Sequence, residues 1–192
     1  MINFIGLKEQ QEKLRTRIDS RIANVLNHGN YILGPEVGEL EKRLSEYVGS
    51  KFCITCSSGT DALLMSLMSK DIGPGDAIIT TPFTYIATAE VVQLLGAKTY
   101  FCDINPQTFN LDIENLDNIY NQATNEGYQV KGIIAVDIFG LPSRYRLLEK
   151  FAKAKSIFLL QDMAQSFGSS IKNRKSGTFG DMGATSFFPS KP

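Results

Sequence analysis

The sequence predicts an α/β fold: a three-layer, largely parallel (mixed) sheet flanked by helices. Three observations predict it. Beyond residue 50, short apolar runs alternate with amphipathic stretches, the pattern of strands joined by crossover helices. The runs are only four to six residues long, which suits buried strands better than buried helices. Polar and ionisable residues follow several of these runs directly, and in open parallel sheets ligands gather beyond the carboxyl ends of the strands.

The elements follow in order. Residues 1–50 read as a helical segment. Leu7, Leu14, Ile18, Ile22 and Leu26 recur at sums of three and four, with charges between them, which marks one amphipathic helix. Asn27, His28, Gly29 and Asn30 break it, and Gly34-Pro35 opens a second helix with Val37, Leu40, Leu44 and Val48 on its apolar face. Residues 51–192 read as the α/β domain. Strands are predicted over 52–56, 77–80, 99–102, 132–137, 157–161 and 183–188. Helices are predicted over 60–69, 87–95, 111–120 and 145–154, with an exposed polar loop over 121–129.

Composition excludes several classes. Hydrophobic residues make up 43% and charged residues 21% of the 192 positions, as in ordinary globular proteins. Twenty basic residues balance twenty acidic ones, so no basic face invites nucleic acid. No apolar run approaches the roughly 18 residues that span a bilayer, and the first residues do not have the form of a secretory signal. The expected location is the cytoplasm. Cys53 and Cys56 form a C-x-x-C, but it lies in a predicted strand, where residues three apart point to opposite faces. His28 is the only histidine. The cysteines are therefore expected to be buried structural thiols and no metal site is expected.

The strand ends carry the chemistry. Ser57-Ser58-Gly59-Thr60-Asp61 joins a predicted strand to a predicted helix. The first amides of a helix lack internal partners and carry partial positive charge, and glycine allows close approach, so the turn is a seat for phosphate. Asp61 is expected to contribute through its amide, with the carboxylate turned away. Tyr85 follows the second strand, Asp137 the fourth, Asp162 and Gln165 the fifth, and Ser190-Lys191 the sixth. An acid buried at a strand end is costly unless paired, and a cationic heterocycle is one such partner. A desolvated lysine amine is a nucleophile toward aldehydes. Phosphate seat, stacking ring, acid and lysine together match the needs of pyridoxal 5′-phosphate (PLP). No G-x-G-x-x-G opens a helix after a strand, so a dinucleotide-dependent enzyme is not supported.

Six segments, taken in order, carry a resemblance: "HGNYILGPEVGELEKRLSEYVG", "SSGTDALLMSL", "GPGDAIITTPFTYIATAEVVQLLGA", "DINPQTFNLD", "QDMAQSFGSS" and "TSFFPSKP". The chain resembles the DegT/StrS-type sugar aminotransferases, PLP enzymes of fold type I. The resemblance implies that 51–192 is part of the large PLP-binding domain. Members are about twice this length, which implies a small C-terminal domain outside this chain. It implies that Lys191 binds the cofactor aldehyde, that Asp162 faces the pyridine nitrogen, and that Gln165 lies beside the ring hydroxyl. It implies that Tyr85 stacks on the ring, and that Ser58, Gly59, Thr60, Asp61 and Ser186 surround the phosphate, with Ser190 a weaker candidate. Asp137 lies where many relatives have a histidine or another polar residue. Two alternatives stand beside amino transfer: a sugar dehydratase, against which Lys191 argues because dehydratases of the family carry histidine there, and a non-catalytic regulatory member, against which the intact Lys191, Asp162 and Tyr85 argue. The implied partners are glutamate, a nucleotide-linked keto sugar and a second copy of the chain.

Overall fold

The computed structural model describes residues 6–192. They fall into two compact units. One runs to Tyr47 and includes Lys51–Thr55; the other comprises Val48–Ser50 and Cys56–Pro192.

The first unit is built on α1 (Leu7–His28) and α2 (Pro35–Val48). Gly29 ends α1 in the left-handed conformation, with φ 69°, and its amide closes onto the Val25 carbonyl. Arg21 grips Glu39 of α2 with two guanidinium nitrogens, at 2.7 and 3.0 Å. The apolar stripe of α1 is exposed along its length, with Ile22 and Leu26 more than half exposed. Residues 52–56 differ from expectation: they are extended but join no sheet. Phe52 and Ile54 are 73% and 76% exposed, and the Thr55 amide and hydroxyl both donate to Glu41 Oε1, at 2.8 and 2.9 Å. A side-chain carboxylate has taken the donor that a sheet ladder would use.

The second unit carries the sheet. Its elements are α3 (Gly59–Met68), β1 (Asp76–Thr80), α4 (Ala87–Leu94), β2 (Lys98–Phe101), α5 (Leu116–Asn125), β3 (Gln129–Val136), α6 (Tyr145–Lys155) and β4 (Phe158–Asp162). A small antiparallel hairpin, β5 (Ser170–Ile171) with β6 (Arg174–Lys175), precedes β7 (Met182–Ala184). The sheet order is β2-β1-β3-β4-β7 and every pairing in it is parallel, so the mixed character anticipated for the sheet is absent from these five strands.

Alternation along the strands builds two cores. Ile79, Ile133, Ala135 and Leu159 pack with Leu116 and Ala123 of α5 and Leu148 and Ala152 of α6. Ile78, Ile134 and Leu160 pack with Leu63 and Leu67 of α3 and Val91 and Val92 of α4. Helices thus cover both faces, giving the three layers that an all-buried parallel sheet requires. Three local expectations are corrected. Residues 121–125 are not a loop: α5 continues to Asn125 because Leu116 and Ala123 hold the helical period on its buried face, and only 126–128 connect it to β3. A 3-10 turn over Ile113–Asn115, capped by the Asp112 carboxylate, occupies the start of the helix predicted at 111–120. The last strand stops at Ala184, and Phe187 and Phe188 beyond it are exposed.

Candidate cofactor and active site

Five strands of the second unit release their chains on the same edge of the sheet, because all run parallel. β4 ends in Asp162, whose register partner on β7 is Ala184. The Asp162 carboxylate is buried, at 6% exposure. Its Oδ2 accepts from the Thr88 hydroxyl at 2.9 Å, and its Oδ1 from the Ala164 amide at 3.2 Å. Thr88 also bonds Thr84 Oγ1 at 2.9 Å, so the chain around Tyr85 is tied to the acid through the first turn of α4. Tyr85 itself is 68% exposed. Burial pushes the Asp162 carboxyl above the usual range; the Thr88 and Ala164 bonds oppose that, the like charge of Asp137 adds to it, and the Lys191 ammonium pulls it down. Lys191 and Asp162 thus interact electrostatically, although 29 positions separate them in the sequence. Lys191 is half-buried and closes a turn, its amide donating to the Phe188 carbonyl at 2.8 Å.

The phosphate turn forms at the start of α3. Ser58 is an extended N-cap whose hydroxyl oxygen accepts from the Asp61 amide at 3.0 Å. The Asp61 carboxylate accepts from the Ser57 and Ser58 hydroxyls, bonds that hold it below the usual carboxylate range, Ser57 contributing most. The Asp61 amide is thus engaged by the cap, which leaves the amides of Gly59 and Thr60 as the ones outside the helix ladder. Gly59 abuts the segment after β7: a β-carbon there would stand 2.8 Å from Ser186 Cβ. The turn and Ser186 are therefore neighbours. Gln165 lies in the turn that follows Asp162, and its carbonyl oxygen sits 3.1 Å from where a β-carbon of Gly140 would be.

Of the residues named from the sequence, Gly59 stands against Ser186, Asp162 and Gln165 share the end of β4 and the turn after it, and Tyr85 and Ser190 are exposed. The donor set fits PLP: a buried carboxylate with acceptor capacity, an amine acting on it, and a glycine-lined helix start beside a serine. Sequence reasoning missed Thr88; its place one turn into a helix beside the sheet edge is the only signal that could have found it. Among the cysteines, Cys102 is buried, Cys53 half-buried and Cys56 exposed, so the expectation of buried thiols fails at Cys56. No group of three metal-ligating side chains occurs among the described residues, and none of their helices is long and apolar enough to cross a membrane.

Comparison with known proteins identifies the family and the fold. Residues 12–192 match the profile of the DegT/DnrJ/EryC1/StrS aminotransferase family. The UDP-2-acetamido-2-deoxy-3-oxo-D-glucuronate aminotransferase of Pseudomonas aeruginosa is 47% identical over all 192 residues, which span 52% of that protein. A crystal structure of a DegT DnrJ EryC1 StrS aminotransferase from Brucella abortus superimposes with a TM-score of 0.97 at 43% identity, covering 100% of this chain and 52% of that one. The Streptococcus pneumoniae sugar aminotransferase Spr1654, solved in its PLP form, matches with a TM-score of 0.72 at 31% identity, over 82% of this chain and 43% of that one. The chain belongs to the DegT/DnrJ/EryC1/StrS aminotransferase family. It spans about half the length of the curated relatives it matches.

Proposed function

We propose that the whole protein is a PLP-dependent aminotransferase that moves an amino group from glutamate to a nucleotide-linked keto sugar, UDP- or dTDP-linked. The product would be an amino sugar for surface polysaccharide, made in the cytoplasm. The observation that carries the reading is a carboxylate, Asp162, buried at the end of β4 and left with acceptor capacity beyond its Thr88 and Ala164 donors. The relative at 47% identity, named for a UDP-sugar substrate, favours UDP.

When bound, PLP supplies an electrophilic aldehyde and a ring that takes up the electrons of a carbanion. The chain's residues do the rest. Asp162 holds a proton at the pyridine nitrogen. The amides of Gly59 and Thr60, with the Ser186 hydroxyl, would hold the phosphate, Ser58 and Asp61 would fix their turn, Tyr85 would cover the ring, and Gln165 would stand beside the ring hydroxyl. Lys191 first engages the aldehyde. Once displaced by the amino donor, its amine would carry a proton from the donor Cα to the cofactor carbon and, in the second half, from that carbon to the acceptor's, as general base and then acid. The exposed apolar stripe of α1 supports a homodimer.

The test is to mix the full-length protein with PLP. Wild type is expected to develop absorbance near the visible edge, and Lys191→Ala to lose it. A variant that keeps the band would show that another amine binds the aldehyde.

A further inference from the structure

Asp137 lies just past the end of β3, beside Asp162: its amide donates to the Asp162 carbonyl at 3.1 Å. It is fully buried. Its carboxylate accepts five hydrogen bonds, all from neutral donors. Oδ1 takes the Ser143 amide at 2.9 Å, the Ser143 hydroxyl at 3.1 Å and the Tyr145 hydroxyl at 2.9 Å. Oδ2 takes the Gln161 carboxamide and the Ser166 hydroxyl, both at 2.8 Å. The first three donors belong to the loop after β3 and the start of α6. The last two belong to β4 and to the turn 163–166.

That turn is the one that matters for the acid. Its Ala164 amide orients Asp162 Oδ1 at 3.2 Å, and it carries Gln165. The loop after β3 folds back on itself, the Gly140 amide donating to the Asp137 carbonyl at 3.0 Å. Gly140, with φ +82°, leaves no room for a side chain against the Gln165 carbonyl. Gln161 extends the network, its Oε1 accepting from the Gly177 amide at 2.8 Å.

We propose that Asp137 is a positioning residue for the cofactor pocket, clamping the turn 163–166 against the loop after β3 so that the Ala164 amide and Gln165 hold their places beside Asp162. With all its acceptor positions filled by protein donors, Asp137 acts through Asp162 and Gln165 rather than on cofactor or substrate. The inference rests on the PLP reading.

The experiment uses the full-length protein and two readouts: equilibrium PLP affinity with the position of the bound-cofactor band, and thermal unfolding without PLP. Ser166→Ala cuts the clamp on the turn side and leaves Asp137 charged; Tyr145→Phe cuts it on the α6 side, away from the turn. Both are expected to lower the unfolding temperature. Ser166→Ala, and Asp137→Asn where it folds, are expected to weaken PLP binding about tenfold, the loss expected for one hydrogen bond to a charged group, and to shift the band. Tyr145→Phe is expected to bind PLP within about twofold of wild type. A Ser166→Ala protein with wild-type affinity and an unshifted band would overturn the inference alone. A wild type without any band would overturn the PLP reading and the inference with it.

Discussion

Gly59→Ala probes the contact on which the phosphate seat depends. The added methyl carbon would stand 2.8 Å from Ser186 Cβ and 3.3 Å from both Ser186 Oγ and the Thr185 carbonyl oxygen. Non-bonded carbons rest at about 3.5–4.0 Å, so Ser186 must retreat by about 1 Å. Overpacking of this kind costs about 1–3 kcal/mol, against a helix-propensity gain of at most about 1 kcal/mol. A net loss of about 1 kcal/mol lowers the unfolding temperature of a domain this size by about 2–4 °C. The same displacement moves the Ser186 hydroxyl and the chain leading to Lys191, and misplacement by about 1 Å can cost up to a hundredfold. The assay is thermal unfolding with PLP titration, for Gly59→Ala, Ser186→Gly and the double variant. Removing the Ser186 β-carbon should return the double variant to the unfolding temperature of Ser186→Gly alone. A Gly59→Ala protein that unfolds and binds PLP as wild type does would refute the reasoning, because it would show that Ser186 yields without consequence.

Asp162→Asn is expected to slow the glutamate half-reaction by roughly 10²–10³-fold, read by loss of the bound-PLP band in single-turnover mixing. The same variant carries a pH signature in the cofactor-free protein. The folded-state pKa of Asp162 is raised, by burial above all, so its contribution to stability is full below the ordinary carboxylate pKa and is lost as pH rises through the folded value. The unfolding temperature of Asp162→Asn relative to wild type should therefore rise from acid to neutral pH, and a flat difference would show that the acid is not strained. Gly132→Ala should cost about 1–3 kcal/mol in denaturant unfolding, because Gly132 pairs with Phe158 and a β-carbon would lie inside the Phe158 ring's surface; an unchanged midpoint would show that the ring swings freely.

Four strands of the sheet are legible to within a few residues, because short apolar runs bounded by Gly, Pro and charge leave little choice. The runs at 52–56 and 183–188 look the same in sequence and fold differently. The first loses its ladder donor to Glu41, 14 residues earlier, a tertiary choice that periodicity does not encode. The second pairs with β4 only through Ala184 and then leaves the sheet. The opposite error, at 121–125, came from reading polar residues as loop, although Ala123 keeps the helical spacing set by Leu116 and Ile119. In the site, the phosphate turn was legible from its small polar residues and the acid from its strand. Thr88 was not, because its role exists only once α4 is laid beside β4.

Asp137 and Asp162 look alike in sequence, each an acid just after a buried apolar run. Their donors separate them. A carboxylate offers about four lone-pair sites. Asp137 meets five donors, which fill its acceptor positions, although burial still pushes its carboxyl above the usual range. Asp162, also buried, meets the Thr88 hydroxyl and the Ala164 amide, and the Lys191 ammonium eases its charge. A buried charge left with acceptor capacity is unfavourable in isolation, and a fold keeps one where a cation completes it. By that argument Asp137 is built to hold the site and Asp162 to receive what binds there.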